Sequence, residues 1–343
     1  MTKAIIETLP HRRMEAWKWT DVRAALGGEK SGLTSACEPK LTVPTGLIVT
    51  REIKSPGDSV MGKLAANFAG DAYSIIVPDG FTSGEHVNIS GLNSGHARIV
   101  FKLGKGAKLH VVETHNSNNP SFVNIEVSFD LAESAHLTRT ILQDDHAETT
   151  RIATTHISAW GGAKITQHSL GFGAGLTRFE TRIAALGKDF ECNIHGAYLL
   201  GGKRHLDMTS YIDLGAENAR VRQSVKGVVT DKARGVFQGK FHVRRPAQLA
   251  DAEMRHDAIM LSDTAHIRAK PELEIYADDV ACAHGNTIGA LDETALFYMR
   301  TRGIPLGEAR ALLTQAFVAG AFDGMDDNKD FMSRITAWLE QNS

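Results

Sequence analysis

The 343-residue sequence predicts a mainly β protein, built on a right-handed parallel β-helix with short α-helical regions at both ends. Between about residues 45 and 290, short alternating or β-branched runs are separated by clusters of Gly, Asn, Asp and Ser, which is the pattern of strands and turns. A small residue followed by a strand recurs at a fixed spacing within this region. Beyond residue 290 the apolar residues follow a helical period instead.

The recurring motif is the observation that favours stacked coils. Gly106-Ala-Lys-Leu109, Ser134-Ala-His-Leu137 and Gly162-Ala-Lys-Ile165 place their alanines at 107, 135 and 163, so both steps are 28 residues. Later members drift, at Glu217-Asn-Ala-Arg-Val221 and Thr264-Ala-His-Ile267. A coil cannot bury its apolar face alone, and stacking solves that problem. The alternative is a large antiparallel sandwich or barrel whose corners coincide by chance.

The two ends of the chain are predicted to be helical. We divide the chain into an N-terminal helical region (1–44), a β-helix core (45–290) and a C-terminal helical region (291–343). In the first region, residues 12–26 are rich in helix formers and end at Gly27-Gly28.

Three short helices are predicted in the C-terminal region. Asp292 is a candidate N-cap for a helix that ends at Gly303, Pro305 suits the start of a second, and Asn328 suits the cap of a third. These helices would shield the open end of the stack, or they would offer an apolar groove to a partner.

Composition excludes several classes of protein. Hydrophobic content of 42%, charged content of 23% and a net charge of -2 are those of a soluble globular protein, with no footprint for nucleic acid or an anionic membrane. No apolar run is long enough for a spanning helix, and the N-terminus has too short an apolar core for a signal peptide. Three widely spaced cysteines argue against a disulfide framework. We therefore expect a cytoplasmic protein.

The motifs of several enzyme classes are also missing from the sequence. No Gly-x-x-x-x-Gly-Lys-[Ser/Thr] or Gly-x-Gly-x-x-Gly fingerprint is present, and no Ser/His/Asp hydrolase signature appears. Paired carboxylates occur at Glu272/Glu274 and Asp278-Asp279. These acids, Glu272 and Asp278 above all, keep open the alternative of a β-helical carbohydrate-active enzyme. An aromatic content of only 7% and the absence of a secretion signal argue against it.

Cys282 and His284 form the candidate site, on a segment that is predicted to be a strand. Residues i and i+2 of a strand point to the same side, so a thiolate and an imidazole there share one face. Two ligands do not complete a tetrahedral metal site, and the rest would have to come from elsewhere. A half-buried thiol beside a capping histidine is the structural alternative.

The other cysteines and histidines are weaker candidates. Cys192 and His195 have the spacing of zinc ligands, but strand alternation sends them to opposite faces. Cys37 is expected to be inert. The remaining candidates are histidines that would line the surface of the stack, namely His205, His242 and His266.

The segment around the candidate site resembles a known family. Leu273-Glu-Ile-Tyr-Ala-Asp-Asp-Val-Ala-Cys-Ala-His-Gly-Asn-Thr-Ile-Gly289 looks like the C-terminal hallmark of SufD, in the SufB/SufD scaffold family of the Suf iron–sulfur cluster assembly system. Further similar segments lie upstream, at Pro10-His-Arg-Arg-Met-Glu-Ala-Trp-Lys-Trp19, His205-Leu-Asp207, Lys226-Gly-Val-Val229 and Arg234-Gly-Val-Phe-Gln-Gly-Lys-Phe-His-Val243. The sequence departs from the family pattern at Asn286, at Arg255–Asp257 and at Leu214–Glu217.

The resemblance implies a non-catalytic scaffold subunit. It implies pairing with SufB through the ends of the two β-helices, and binding of the SufC ATPase through residues 291–343. His284, and with it Cys282, would contribute to a nascent iron–sulfur cluster or iron shared with the partner chain. The resemblance does not specify a flavin, and it leaves a homodimer of the isolated chain open.

Overall fold

The computed structural model describes residues 2–27, 31–53, 55 and 59–342 of the chain. In these residues the strands are β1 (Lys40–Thr42), β2 (Ile48–Glu52), β3 (Ala72–Val77), β4 (Val87–Ser90), β5 (Gly95–Leu103), β6 (Lys108–His115), β7 (Phe122–Leu131), β8 (His136–Gln143), β9 (Thr150–Ala159), β10 (Lys164–Gly171), β11 (Leu176–Ala185), β12 (Glu191–Leu200), β13 (His205–Leu214), β14 (Arg220–Val229), β15 (Arg234–Val243), β16 (Asp251–Met260), β17 (His266–Ile275) and β18 (Ala281–Gly289). The α-helices are α1 (Thr2–Thr8), α2 (Val22–Leu26), α3 (Val60–Phe68), α4 (Glu293–Thr301), α5 (Leu306–Ala319) and α6 (Lys329–Asn342).

The strands form two facing sheets that together make a β-solenoid of about 8 turns. The even sheet has the order β1-β4-β6-β8-β10-β12-β14-β16-β18, and the odd sheet has the order β17-β15-β13-β11-β9-β7-β5-β3-β2. Pairing is parallel except at the N-terminal end, where β1 pairs with β4 and β2 with β3 in antiparallel fashion. The mainly β prediction of stacked parallel coils is confirmed, and the sandwich alternative is wrong.

The predicted repeat corresponds to the register of the even sheet. Leu109 of β6 pairs with Leu137 of β8, which pairs with Ile165 of β10, so the period of 28 is one coil. Val221 continues this column, since it pairs with Cys192 of β12. Ile267 does not, because it pairs with Gly235 of β15 in the odd sheet. The last motif therefore belongs to the other sheet.

The main core lies between the sheets, where alternate apolar side chains of the strands from β3 to β17 are buried in a continuous cluster. Charged groups interrupt this core near its middle. Glu113 of β6 accepts a hydrogen bond from Arg139 Nε of β8 at 2.6 Å, and Arg151 of β9 binds Asp145 through two hydrogen bonds of 2.7 Å. All four side chains are 2% exposed or less. Buried charges are tolerated only when they are paired, as these are.

The N-terminal segment packs on the outer face of the odd sheet. Residues of α2 and α3 join Trp17 in an apolar cluster with Phe122 and Leu176, which lie on strands of that sheet. The predicted helix over residues 12–26 is wrong in its first part. Only a 3-10 turn at Glu15–Trp17 and the short α2 form, because Trp17 lies 4.2 Å from the Arg178 guanidinium and Thr20 donates to the buried Asp207. These contacts hold the segment flat on the sheet.

The C-terminal helices lie along the outer face of the even sheet. Phe322, Phe331 and Ile335 pack with Leu170 and Val228 of β10 and β14. The predicted N-cap is confirmed, since Asp292 accepts hydrogen bonds from the backbone of Thr294 and Ala295, and α5 and α6 begin directly after Pro305 and Asn328. The expectation that these helices shield the open end is wrong, because nearly all of β18 is exposed.

Candidate functional site

The candidate site lies on β18, the last strand of the even sheet. Cys282 and His284 pair with Ala252 and Met254 of β16, whose side chains are 1% and 0% exposed in the solenoid interior. In a parallel ladder, paired residues point the same way. Cys282 and His284 therefore share the side of β18 that continues the core. No further coil of the described chain covers β18, so Cys282 is half-buried and His284 is exposed.

Each strand of this last coil ends its sheet, β17 the odd sheet and β18 the even sheet. An edge strand presents unpaired backbone N–H and C=O groups that accept another strand. Apolar side chains accompany this edge, with Ile275 and Ile288 each 40% exposed and Tyr276 58% exposed. The end of the solenoid combines a free β-edge, apolar surface, and one thiol and one imidazole side chain.

The electrostatics of Cys282 keep it a thiol in the isolated chain. Burial raises the pKa of the Cys282 thiol above its ordinary value, and the charge of Asp251 adds to the rise. A hydrogen bond with the Ala252 backbone opposes both. A thiolate, not a thiol, binds metal, so Cys282 would bind a metal only if the cation displaced its proton.

A buried chain of hydrogen bonds connects β18 to the preceding coils of the solenoid. His256 of β16 is 0% exposed, and it contacts Asn286 Oδ1 through Nδ1 at 2.8 Å and the Tyr198 hydroxyl through Nε2 at 2.9 Å. Because the Asn286 oxygen accepts, Nδ1 of His256 carries the proton and the Tyr198 hydroxyl donates to Nε2. Burial lowers the pKa of His256, which keeps the ring neutral in this arrangement.

These contacts give a structural role to Asn286, one of the positions where the sequence departs from the family pattern. Asn286 lies two residues beyond His284 on the same side of β18, and it pairs with His256 in the ladder. The Phe237 ring stacks on His256 with centroids 4.8 Å apart, which fixes the imidazole plane. Sequence reasoning missed Tyr198 and His256, since their separation of 58 residues in the chain gives no local signal.

The structure separates the other predicted pair. Cys192 is 1% exposed in the interior, and burial raises the pKa of its thiol, whereas His195 lies on the outer surface and stacks on His168 with ring centroids 5.5 Å apart. The predicted opposite faces are confirmed. Cys37 is also buried. Among the histidines expected to line the surface, His242 is held by Asp213 at 2.9 Å and His266 is exposed. The expectation is wrong for His205, which is buried.

Of the paired carboxylates, Glu272 and Glu274 are engaged with lysines. Glu274 lies 2.5 Å from Lys240, and Glu272 lies 3.2 Å from Lys270. The hydrogen bond from Lys240 lowers the pKa of Glu274, whereas a general acid in glycoside hydrolysis needs a raised one. This arrangement favours surface ion pairs over the carbohydrate-active alternative.

Over residues 2–27, 31–53, 55 and 59–342, no group of three or more His, Cys, Asp and Glu side chains is placed to hold a metal ion. Cys282 and His284 therefore supply at most half of a four-coordinate site within this chain. Within the same residues, no helix is long and apolar enough to cross a membrane.

Comparison with known proteins adds a family match. Residues 86–317 match the profile of the "SUF system FeS cluster assembly, SufBD core domain". The iron-sulfur cluster assembly protein SufD of Escherichia coli is 29% identical over 238 residues, which cover 69% of this chain and 56% of that protein. An iron-sulfur cluster assembly SufBD family protein of Synechocystis is 33% identical over 204 residues, 60% of this chain and 45% of its own length.

The match to a SufBD family protein of Mycobacterium tuberculosis is longer and weaker, at 23% identity over 97% of this chain and 89% of that protein. The chain spans about half the length of the Escherichia coli and Synechocystis relatives that it matches.

Proposed function

Since the chain belongs to the SufBD core family of the SUF system, we propose that it is a non-catalytic scaffold subunit for iron–sulfur cluster assembly. The observation that carries the proposal is the open end of the solenoid. There, Cys282 and His284 share the side of β18 that continues the core, with no third ligand from the described residues. A half-site of this kind suits a subunit that shares its cargo with a second chain.

The partner chain would be a SufB-type solenoid that docks end to end on β17 and β18. Exposed Ile275, Tyr276 and Ile288 support this docking, because their burial against a partner would stabilise the complex at about 25 cal/mol per Å² of apolar surface. Strand edges from both chains would pair at the junction. The partner would then bring the remaining ligands to Cys282 and His284.

The cargo is iron or a nascent cluster, which is the substrate of the assembly. The imidazole of His284 would donate a nitrogen lone pair to iron, and the Cys282 thiol would lose its proton on binding. Because the pKa of Cys282 is raised, the proton would stay on the thiol until a bound cation displaced it. A weak half-site on this chain also favours onward transfer of the cluster.

The His284→Ala variant tests the site assignment. We expect it to abolish cluster delivery to an apo acceptor, because the imidazole ligand is lost, while the exposed position leaves fold and complex assembly intact. Cys282→Ser should reduce delivery less. Delivery would be measured by the visible absorption of the acceptor cluster, with the subunit complex followed by size-exclusion chromatography.

His86→Ala is the matched control for that experiment. His86 is also an exposed histidine, but it precedes β4 at the opposite end of the even sheet. Delivery at the wild-type rate is expected for this control. If His284→Ala also delivers clusters at that rate, the chain is a structural partner without a ligand role.

The C-terminal region would dock the SufC ATPase. Its support is an exposed apolar group on α4 and α5, in which Phe297 is 68%, Tyr298 59%, Leu306 39% and Leu312 42% exposed. Helix surfaces of this kind are typical of protein docking sites. ATP-driven movement of the docked subunit would open or distort the junction at β18.

Point variants test this docking better than deletion, because removal of residues 304–343 would also uncover Leu170 and Val228 of the even sheet. We expect Phe297→Ala with Leu312→Ala to weaken ATPase binding about tenfold or more, since exposed aromatic and aliphatic anchors carry much of an interface's energy. Leu186→Ala, at a 46% exposed leucine outside this region, is the control. Equal retention of all variants in a pull-down would move the docking site elsewhere.

A further inference from the structure

A cavity of about 580 Å³ lies between the N-terminal segment and the outer face of the odd sheet. Its floor is the first row of β13, β15 and β17, where His205 pairs with Arg234 and Arg234 with His266. Its wall is formed by Arg12, Lys18 and Trp19 of the N-terminal segment together with α2. A cavity of this volume is in the range of small-molecule sites.

The charges around this cavity are unbalanced. Four cations line it, namely Arg12, Lys18, Arg234 and Arg268, against one carboxylate, Asp21. Asp21 is already engaged, since it accepts hydrogen bonds from the backbone of Ala24 at 2.9 Å and of Arg12 at 3.3 Å.

Across the described part of the chain, none of these four cations forms an ion pair with an acidic side chain. Most other arginines on the strands form an ion pair with an acidic side chain, so Arg234 and Arg268 are exceptions. The cavity therefore has an excess of positive charge, with four cations against the one carboxylate of Asp21.

A buried histidine marks the floor of the cavity. His205 is 7% exposed, and within the described residues its Nε2 atom has no hydrogen-bond partner. The neighbouring Asp207 carboxylate cannot serve it, because Thr20, Arg178, Thr209 and Gln238 donate to that group. An unsatisfied buried polar atom costs free energy, but this nitrogen is covered by protein atoms, so a ligand in the cavity would reach it only after the imidazole ring turned towards the cavity.

The chemistry of the lining selects an anion. Burial lowers the pKa of His205 to about 4, so the imidazole is neutral and offers one N–H donor. Guanidinium groups bind phosphate through paired, charge-assisted hydrogen bonds, which favours Arg-lined sites for phosphate. Trp19 adds a half-buried ring to the same wall, and such a ring packs against planar groups.

We propose that this cavity binds a phosphorylated small molecule, whose phosphate lies between Arg234 and Arg268 above His205 and whose remaining part packs against Trp19. The site is on the outer face of the odd sheet, and it involves neither Cys282 nor His284. It therefore does not depend on the scaffold role, and the two proposals can fail separately.

Calorimetric titration of the full chain tests the proposal with two probes, inorganic pyrophosphate and ADP. We expect both to bind. Arg234→Ala should weaken each by roughly tenfold, because one charge-assisted contact is lost. Arg245→Ala removes the same charge from an exposed turn outside the cavity, and it should bind as the wild type does. Quenching of tryptophan fluorescence by ADP, reduced in Trp19→Phe, would report the ring contact.

The outcomes separate the sources of binding. Tighter binding of ADP than of pyrophosphate supports recognition of the ring as well as the phosphate, and equal binding supports recognition of phosphate alone. Arg234 is exposed, so circular dichroism should show an unchanged fold in the variant. No heat with either probe at about millimolar concentration, or identical affinities of Arg234→Ala and wild type, would overturn the proposal.

Discussion

Replacement of Glu113 by alanine is expected to lower the free energy of unfolding by about 3–5 kcal/mol, the range measured when one partner of a buried ion pair is removed. Glu113 and Arg139 are 1% and 2% exposed. Arg139 also donates to Thr155 at 2.8 Å and Gln167 at 3.1 Å, so it cannot swing out to solvent without breaking both contacts. The variant therefore strands a cation in the apolar interior. Urea unfolding followed by circular dichroism measures the change.

Glu133→Ala is the matched control for this variant. Glu133 forms an ion pair with Lys105 at 2.6 Å, the same distance as in the buried pair, but both side chains are more than 60% exposed. Solvent screens such a pair, and its loss should leave the unfolding midpoint unchanged within error. Equal effects of the two substitutions would show that the interior charges are not buried as described.

Acidification is expected to destabilise the protein in two overlapping steps. Buried histidines cause the first step, and buried carboxylates cause the second, at lower pH. Burial alone would raise the pKa values of Glu113, Asp145 and Glu180, but their arginine partners outweigh it and lower all three. The pKa of Glu113 falls from 4.5 to about 2. A lowered carboxyl pKa contributes stability above the unfolded value that is lost as the pH falls through the folded value, here roughly 3 kcal/mol for Glu113.

Buried histidines cause the first step. Burial lowers the pKa values of His168 and His205 from 6.5 to about 4, so the folded state keeps them neutral while the unfolded chain takes up protons. Stability from this source is complete above pH 6.5 and falls as the pH drops towards 4. Urea midpoints at about pH 7, 5 and 3 should decline in that order. A constant midpoint would contradict the prediction, and Glu113→Gln should flatten the second step.

The sequence predicted the coils because the residues that form each coil are close together in the chain. A small residue at each corner followed by alternating apolar residues requires a neighbour above and below, and the motifs at 106–109, 134–137 and 162–165 became one register column. The 28-residue period is lost in the later coils because their turns differ in length. The coil from His205 to Arg234 has 29 residues, and the coil from Arg234 to His266 has 32. Sequence spacing could not show that Ile267 had passed to the other sheet.

The sequence by itself determined the β-solenoid, the caps of the C-terminal helices, the separation of Cys192 from His195, and the common side of Cys282 and His284. Each of these follows from the two-residue alternation of a strand or from a capping residue, which are properties of neighbouring residues. Only the tertiary structure decided that the helices flank the even sheet and leave β18 open. The buried pairs, the Tyr198–His256–Asn286 chain and the His205 cavity join residues from different coils, and no local pattern encodes contacts of that kind.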